Sequence, residues 1–166
     1  MGAGGPQPYH APVSSLVVKR DIHAFVSGPF RAHGQIEMWR EGAVVRLRAQ
    51  GPFNREAVQA LGDALRDLLQ QDPPPAHFAD VLELQGSMMT SPEALADFEQ
   101  FLARMAQLRS PPAAVAYVVP PEVEGRELML PLFARLYARH GRQFAAFDSL
   151  APALTWIGQQ LQAENK

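Results

Sequence analysis

Residues 113–119 read AAVAYVV. A strand that is apolar at nearly every position has no face to give to water. It belongs inside a sheet that is covered on both faces, as central parallel strands are. The rest of the chain must therefore supply further strands beside it and helices above and below it.

The flanking sequence meets that demand. QIEMWRE sets Ile36 and Met38 against Glu37 and Trp39, and AVVRLRAQ sets Val45, Leu47 and Ala49 against Val44, Arg46 and Arg48. With Glu41-Gly42 as the turn, this pattern predicts a β-hairpin with one wet face. A helix is expected from about Asn54 to Gln70, because Val58, Leu61, Leu65 and Leu68 share one stripe. The prolines of DPPPAH end it. FADVLELQG follows as a strand, apolar on both sides. SPEALADFEQFLARMAQLRS is the next helix, with Leu95, Phe98, Leu102 and Met105 in line. After AAVAYVV comes EVEGRELMLPLFARLYARHG, helical but interrupted at Pro131, which predicts a kink or a second segment. RQFAAFD is a short strand, and SLAPALTWIGQQLQ is a last helix with Leu150, Leu154, Ile157 and Leu161 aligned. SSLVVKRD and HAFVSGPF, within residues 14–30, read as two further short strands.

The expectation is an α/β fold: a mostly parallel central sheet with an N-terminal antiparallel hairpin, flanked by four helices. Residues 14–166 form a single domain, and residues 1–13 a flexible N-terminal tail. The length of 166 residues and the 47% hydrophobic content suit one domain with its own core. A net charge of −2 gives no general attraction to nucleic acid. The chain has no cysteine, which excludes disulfides and thiolate chemistry. The first residues lack a basic, apolar leader, and no apolar run approaches a membrane span, so the reading is cytoplasmic with no integral membrane segment.

The succession AVVRLRAQGPFNREAVQAL, VLELQGSMMTSPEAL, AAVAYVV and RQFAAFDSLAPALTWI resembles the SpoIIAA-like proteins of the STAS and CRAL-TRIO-related fold. The likeness covers roughly residues 33–162. Its closing portion carries the most weight: Phe144 and Phe147, an acidic turn, then Ala153-Leu154 and Trp156-Ile157. The resemblance implies a β-α-β-α-β-α unit and no catalytic residues. Better-known STAS members carry an Asp-Ser-Ser-Gly stretch with a phosphorylated serine at a helix start. The stretch here is Met89-Thr90-Ser91-Pro92, without the acidic residue or the glycine, so Ser91 alone carries over as a candidate regulatory phosphosite. CRAL-TRIO relatives bind lipids in an apolar cavity.

The residues themselves restrict the chemistry further. Gly51-Pro52-Phe53-Asn54 joins a strand to a helix but matches neither a phosphate loop nor a nucleophile elbow. Asn54 as N-cap, Glu56 in the first turn and Phe53 stapled to Val58 explain it. In GSMMTSPEAL, Ser91 is an N-cap and Pro92 takes the first helical position. Two adjacent methionines cannot both point into the core from a regular strand, so Met88 and Met89 are candidates for an apolar binding surface at a strand's carboxyl end. His10, His23, His33, His77 and His140 have no metal-ligand spacing. Ser87 and Ser91 have no base placed by spacing. Arg126, Arg135, Arg139 and Arg142 form a modest basic strip without interleaved aromatics. LMLPLFARLY is apolar around more than one helix face, which makes Met129, Phe133 and Tyr137, with Met88, Met89 and Thr90, the candidate ligand or partner surface.

These readings predict a non-catalytic binding or regulatory protein, acting through protein–protein interaction as a homodimer or with another partner. The alternative is a small apolar-ligand or lipid-binding protein, with its cavity between the sheet and the Pro131 helix. No metal, cofactor or nucleic acid is expected.

Overall fold

The computed structural model describes residues 17–108 and 110–163; the expected tail at residues 1–13 lies outside them. Among the described residues one sheet holds six strands in the order β1-β2-β3-β4-β5-β6. These are β1 (Lys19–Asp21), β2 (Gln35–Glu41), β3 (Val44–Gln50), β4 (Ala79–Gln85), β5 (Ala114–Val118) and β6 (Gln143–Phe147). β1, β2 and β3 pair antiparallel, and β3 through β6 pair parallel. The helices are α1 (Arg55–Gln71), α2 (Pro92–Ala106), α3 (Arg126–Arg139) and α4 (Leu150–Ala163). This is the α/β arrangement that the strand and helix order predicts.

β5 is buried at every position, as AAVAYVV requires. Its two faces serve different layers. Val115, Tyr117 and Val119 join the large core under α1, α2 and α3. Ala114, Ala116 and Val118 join a smaller core with Ala79, Val81 and, from α4, Ala153 and Ile157. Alanines on that second face let α4 approach closely. Each β-α-β crossover from β3 onward moves one strand along the sheet, which places α1, α2 and α3 on a common side.

The hairpin's second face is wet only in part. Trp39 is buried beneath Lys19, Arg46 and Arg48, whose charged groups lie 5.0 to 5.7 Å from its ring. Its indole Nε1 donates to Glu41, and Arg46 bridges Glu41 and Glu83. A layer of paired charges thus covers the strand face that α4 does not reach.

Three expectations are corrected. HAFVSGPF holds no strand: Ile22–Phe25 is a short 3-10 turn, capped by the Asp21 carboxylate accepting from the His23 amide. Ile22, at the start of the turn, is fully buried in the large core. Of the two readings of Pro131, the second segment is excluded, because α3 runs unbroken from Arg126 after Gly125. On α4 the buried residues are Ala153 and Ile157, and Leu154 is exposed. The helix leans on the alanine stripe of β4 and β5, so small Ala153 faces the sheet and Leu154 is rotated away.

Candidate functional site

The parallel strands deliver their carboxyl ends to one edge, where the following loops are laced together. The Gly51 amide donates to Ser87 O, the Phe53 amide to Met89 O and the Ser91 amide to Phe53 O. The Met88 amide donates to Glu124 O, and the Glu124 amide to Gly86 O. These bonds continue the sheet beyond its strands.

Local chemistry explains each loop. Asn54 caps α1: its Oδ1 accepts from the Ala57 amide at 3.1 Å and from the His33 amide at 2.8 Å. Its Nδ2 donates to Arg31 O, so one side chain fixes a helix start and a distant loop. Ser91 caps α2, with Oγ accepting from the Ala94 amide at 3.2 Å. The Ser87 hydroxyl accepts from the Met89 amide, and the Thr90 hydroxyl donates to Met88 O. The strand-to-helix junction at Gly51–Asn54 is thus a helix start.

Behind these loops, between the sheet and α1, α2 and α3, lies a cavity of about 80 Å³. Phe53, Met88 and Thr90 line its upper end. Its walls are apolar and rich in aromatic rings: Phe98 and Phe101 from α2, Phe133 and Tyr137 from α3, and Tyr117 from β5. The rings brace one another. Phe98 meets Phe133 and Tyr137 edge-on at centroid distances of 5.3 and 5.9 Å, and Tyr137 stacks on Phe144 at 4.9 Å. The Tyr117 and Tyr137 hydroxyls share a hydrogen bond of 3.0 Å. Burial drives both phenols' pKa values above the ordinary range.

Among the described residues, one charged residue lines this cavity. Asp80, near the amino end of β4, stands in register with Val45 and Val115 on the core face. Its Oδ1 is buried and has no hydrogen-bond partner. Desolvation pushes its pKa up to about 7, against the pull of the Arg142 charge. Arg142 spends Nη1 on Pro112 O at 2.8 Å and is not among the residues that line the cavity.

The cavity wall is thin on one side. Leu65 and Phe101 also line an outer groove of about 670 Å³ between α1 and α2, beside Gln59, Arg66 and Met105. These two side chains separate the inner space from the outer groove.

The structure places the sequence-derived candidates unevenly. Met88, Thr90, Phe133 and Tyr137 line the cavity. Met129 is buried, and Met89 packs on the core against Gly125 without lining it. Both adjacent methionines, Met88 and Met89, reach inward because the chain leaves β4 before them, so strand alternation no longer applies. Ser91 lies outside the cavity at the start of α2. The arginine strip is dispersed into local pairs: Arg126 with Asp148, and Arg139 with Glu99. Of LMLPLFARLY, Leu128 is exposed, while Phe133, Leu136 and Tyr137 are buried. Among the described residues no three His, Cys, Asp or Glu side chains could hold a metal ion. No described helix is long and apolar enough to cross a membrane.

Sequence reasoning misses Asp80 because FADVLELQ reads as apolar on both sides. A period of two puts Asp80 on the face of Leu82 and Leu84, and that is the available signal. Comparisons with protein-family models, with curated proteins and with solved structures found no match.

Proposed function

We propose that this chain is a non-catalytic binding protein for a small, largely apolar molecule, held between the sheet and helices α1 to α3. The aromatic-lined cavity is the observation that carries the reading. Small-molecule sites combine mostly apolar walls with a few placed polar groups, and Asp80 with the tyrosine pair supplies those groups here. The volume suits a compact ligand. About 80 Å³ corresponds to roughly two or three water molecules at about 30 Å³ each, a space for two or three heavy atoms. Entry past Leu65 and Phe101, from the groove between α1 and α2, needs rotation of those two side chains and leaves the sheet intact. The strand and helix order also accords with kinship to SpoIIAA-like proteins, which we propose as the family.

Native mass spectrometry of the purified protein tests the reading, followed by denaturation and analysis of whatever is released. A small molecule that leaves on denaturation supports it. If protein purified without ligand also shows no amide shift changes under xenon pressure or with ethanol, the reading fails.

A further inference from the structure

The arrangement around Asp80 says more about the ligand than its size. A carboxyl group lies among apolar side chains, with an oxygen that no protein group satisfies. Leaving such a group unpaired is unfavourable by itself, and a positive partner relieves it most fully. Aromatic rings surround the same space, and ring faces attract cations through their quadrupoles. The tyrosine hydroxyls are engaged with each other, which leaves the carboxyl as the free polar end. Arg142 acts on Asp80 through its charge but makes no hydrogen bond to it, and its Nη1 donates to Pro112 O instead.

We propose that the cavity binds a small aliphatic amine, with the ammonium at the Asp80 carboxylate and the short apolar body among Phe98, Phe101, Phe133 and the tyrosine pair. This rests on the small-molecule reading given above and names the ligand's chemical class. It also explains why the strand keeps a carboxyl where leucine or valine would pack. The site selects charge with one carboxylate, limits size by its small volume, and disfavours anions while that carboxylate is ionised.

The groups that face Asp80 are Arg142, Tyr117 and Tyr137. Arginine stays charged, and both phenols are pushed upward, so none of the three changes state between pH 6 and 8. A simple alkylamine, with a pKa of about 10 like lysine, is also charged throughout. Of these groups, Asp80 alone changes state in that range. Amine affinity should therefore fall as pH drops from 8 to 6, by up to about tenfold for each unit below the carboxyl's pKa.

The test titrates the full chain with ethylamine, ethanol and formate at pH 8, following backbone amide shifts by NMR and heats by calorimetry. The expected result is ethylamine bound at least about tenfold more tightly than ethanol, a difference of about 1.4 kcal/mol, and formate not bound. The shifted amides should cluster at Leu65, Val115 and Tyr117. Asp80→Asn should abolish the preference for the amine and retain ethanol binding. The pH series on the unaltered protein gives a second measurement that does not depend on the variant folding. Equal or tighter binding of ethanol, or ethylamine affinity that is flat from pH 6 to 8, overturns the amine assignment while the cavity reading stands. If none of the three probes binds, both fall.

Discussion

At the scale of single residues, the Asp80 carboxyl has a direct consequence for stability. Its pKa is about 7 in the fold against an ordinary 3.8. The folded state therefore holds a proton that the unfolded chain has released between those values. Stability must fall as pH rises through that window, because there the folded state binds more protons. The full effect is on the order of 4 kcal/mol, at about 1.4 kcal/mol for each pH unit between the two values. Asp80→Asn should thus be nearly neutral near pH 4 and stabilising by a few kcal/mol near pH 8, read from urea unfolding at a series of pH values. Glu41 and Glu99, whose pKa values are lowered chiefly by bonds to Trp39 and Arg139, contribute in the opposite sense but equally in both proteins. A stability difference that does not vary with pH would show that Asp80 stays ionised in the fold. This residue is hard to see in the sequence. Its charge resembles that of a strand-end acid until Leu82 and Leu84 put it on the core face.

At the scale of elements, the helix starts are the most legible part of the chain. Asn54 and Ser91 cap α1 and α2 as their residue types dictate, because a side-chain oxygen meets an amide that the first turn leaves free. Asn54→Ala should lower stability by about 2 kcal/mol, the upper end for a lost cap, since bonds to Arg31 and His33 go with it. Amide exchange at His33 should quicken alongside. Gly125 is less legible. It precedes α3 at φ +80°, and a Cβ there would stand 2.5 Å from the Met89 sulfur. Gly125→Ala should cost about 2–3 kcal/mol, from left-handed backbone strain and that contact together. Adding Met89→Ala should recover the part due to the contact, so a double-mutant cycle in denaturant separates the two contributions. The 3-10 turn at Ile22–Phe25 escapes sequence reading because its apolar residues are as compatible with a strand. The Asp21 side chain caps the turn by accepting from the His23 amide.

At the scale of the whole molecule, the cavity is a property of three helices and a sheet acting together. Ala49 of β3 lines it and is almost completely buried. Ala49→Val should fill part of the space, raise stability by up to about 1.6 kcal/mol at roughly 0.8 kcal/mol for each of the two added methyl groups, and weaken binding of small probes. Thermal unfolding and probe titration on one variant would show both effects; loss of stability with unchanged binding would show that the space is closed to added atoms. The sequence by itself determined the α/β class, the parallel sheet around AAVAYVV, the helix stripes and their caps. Those depend on periodicity and on contacts a few residues apart. It also placed Phe133 and Tyr137 among the candidates, through the apolar excess of LMLPLFARLY. Only the tertiary structure decided that Asp80, Tyr117 and Tyr137 meet in one cavity, and that Met129 and Met89 stand outside it. It likewise decided which stripe of α4 is buried. Such facts follow from the rotation of each helix against the sheet, which is set by side-chain volumes on both partners at once, and no single segment encodes it.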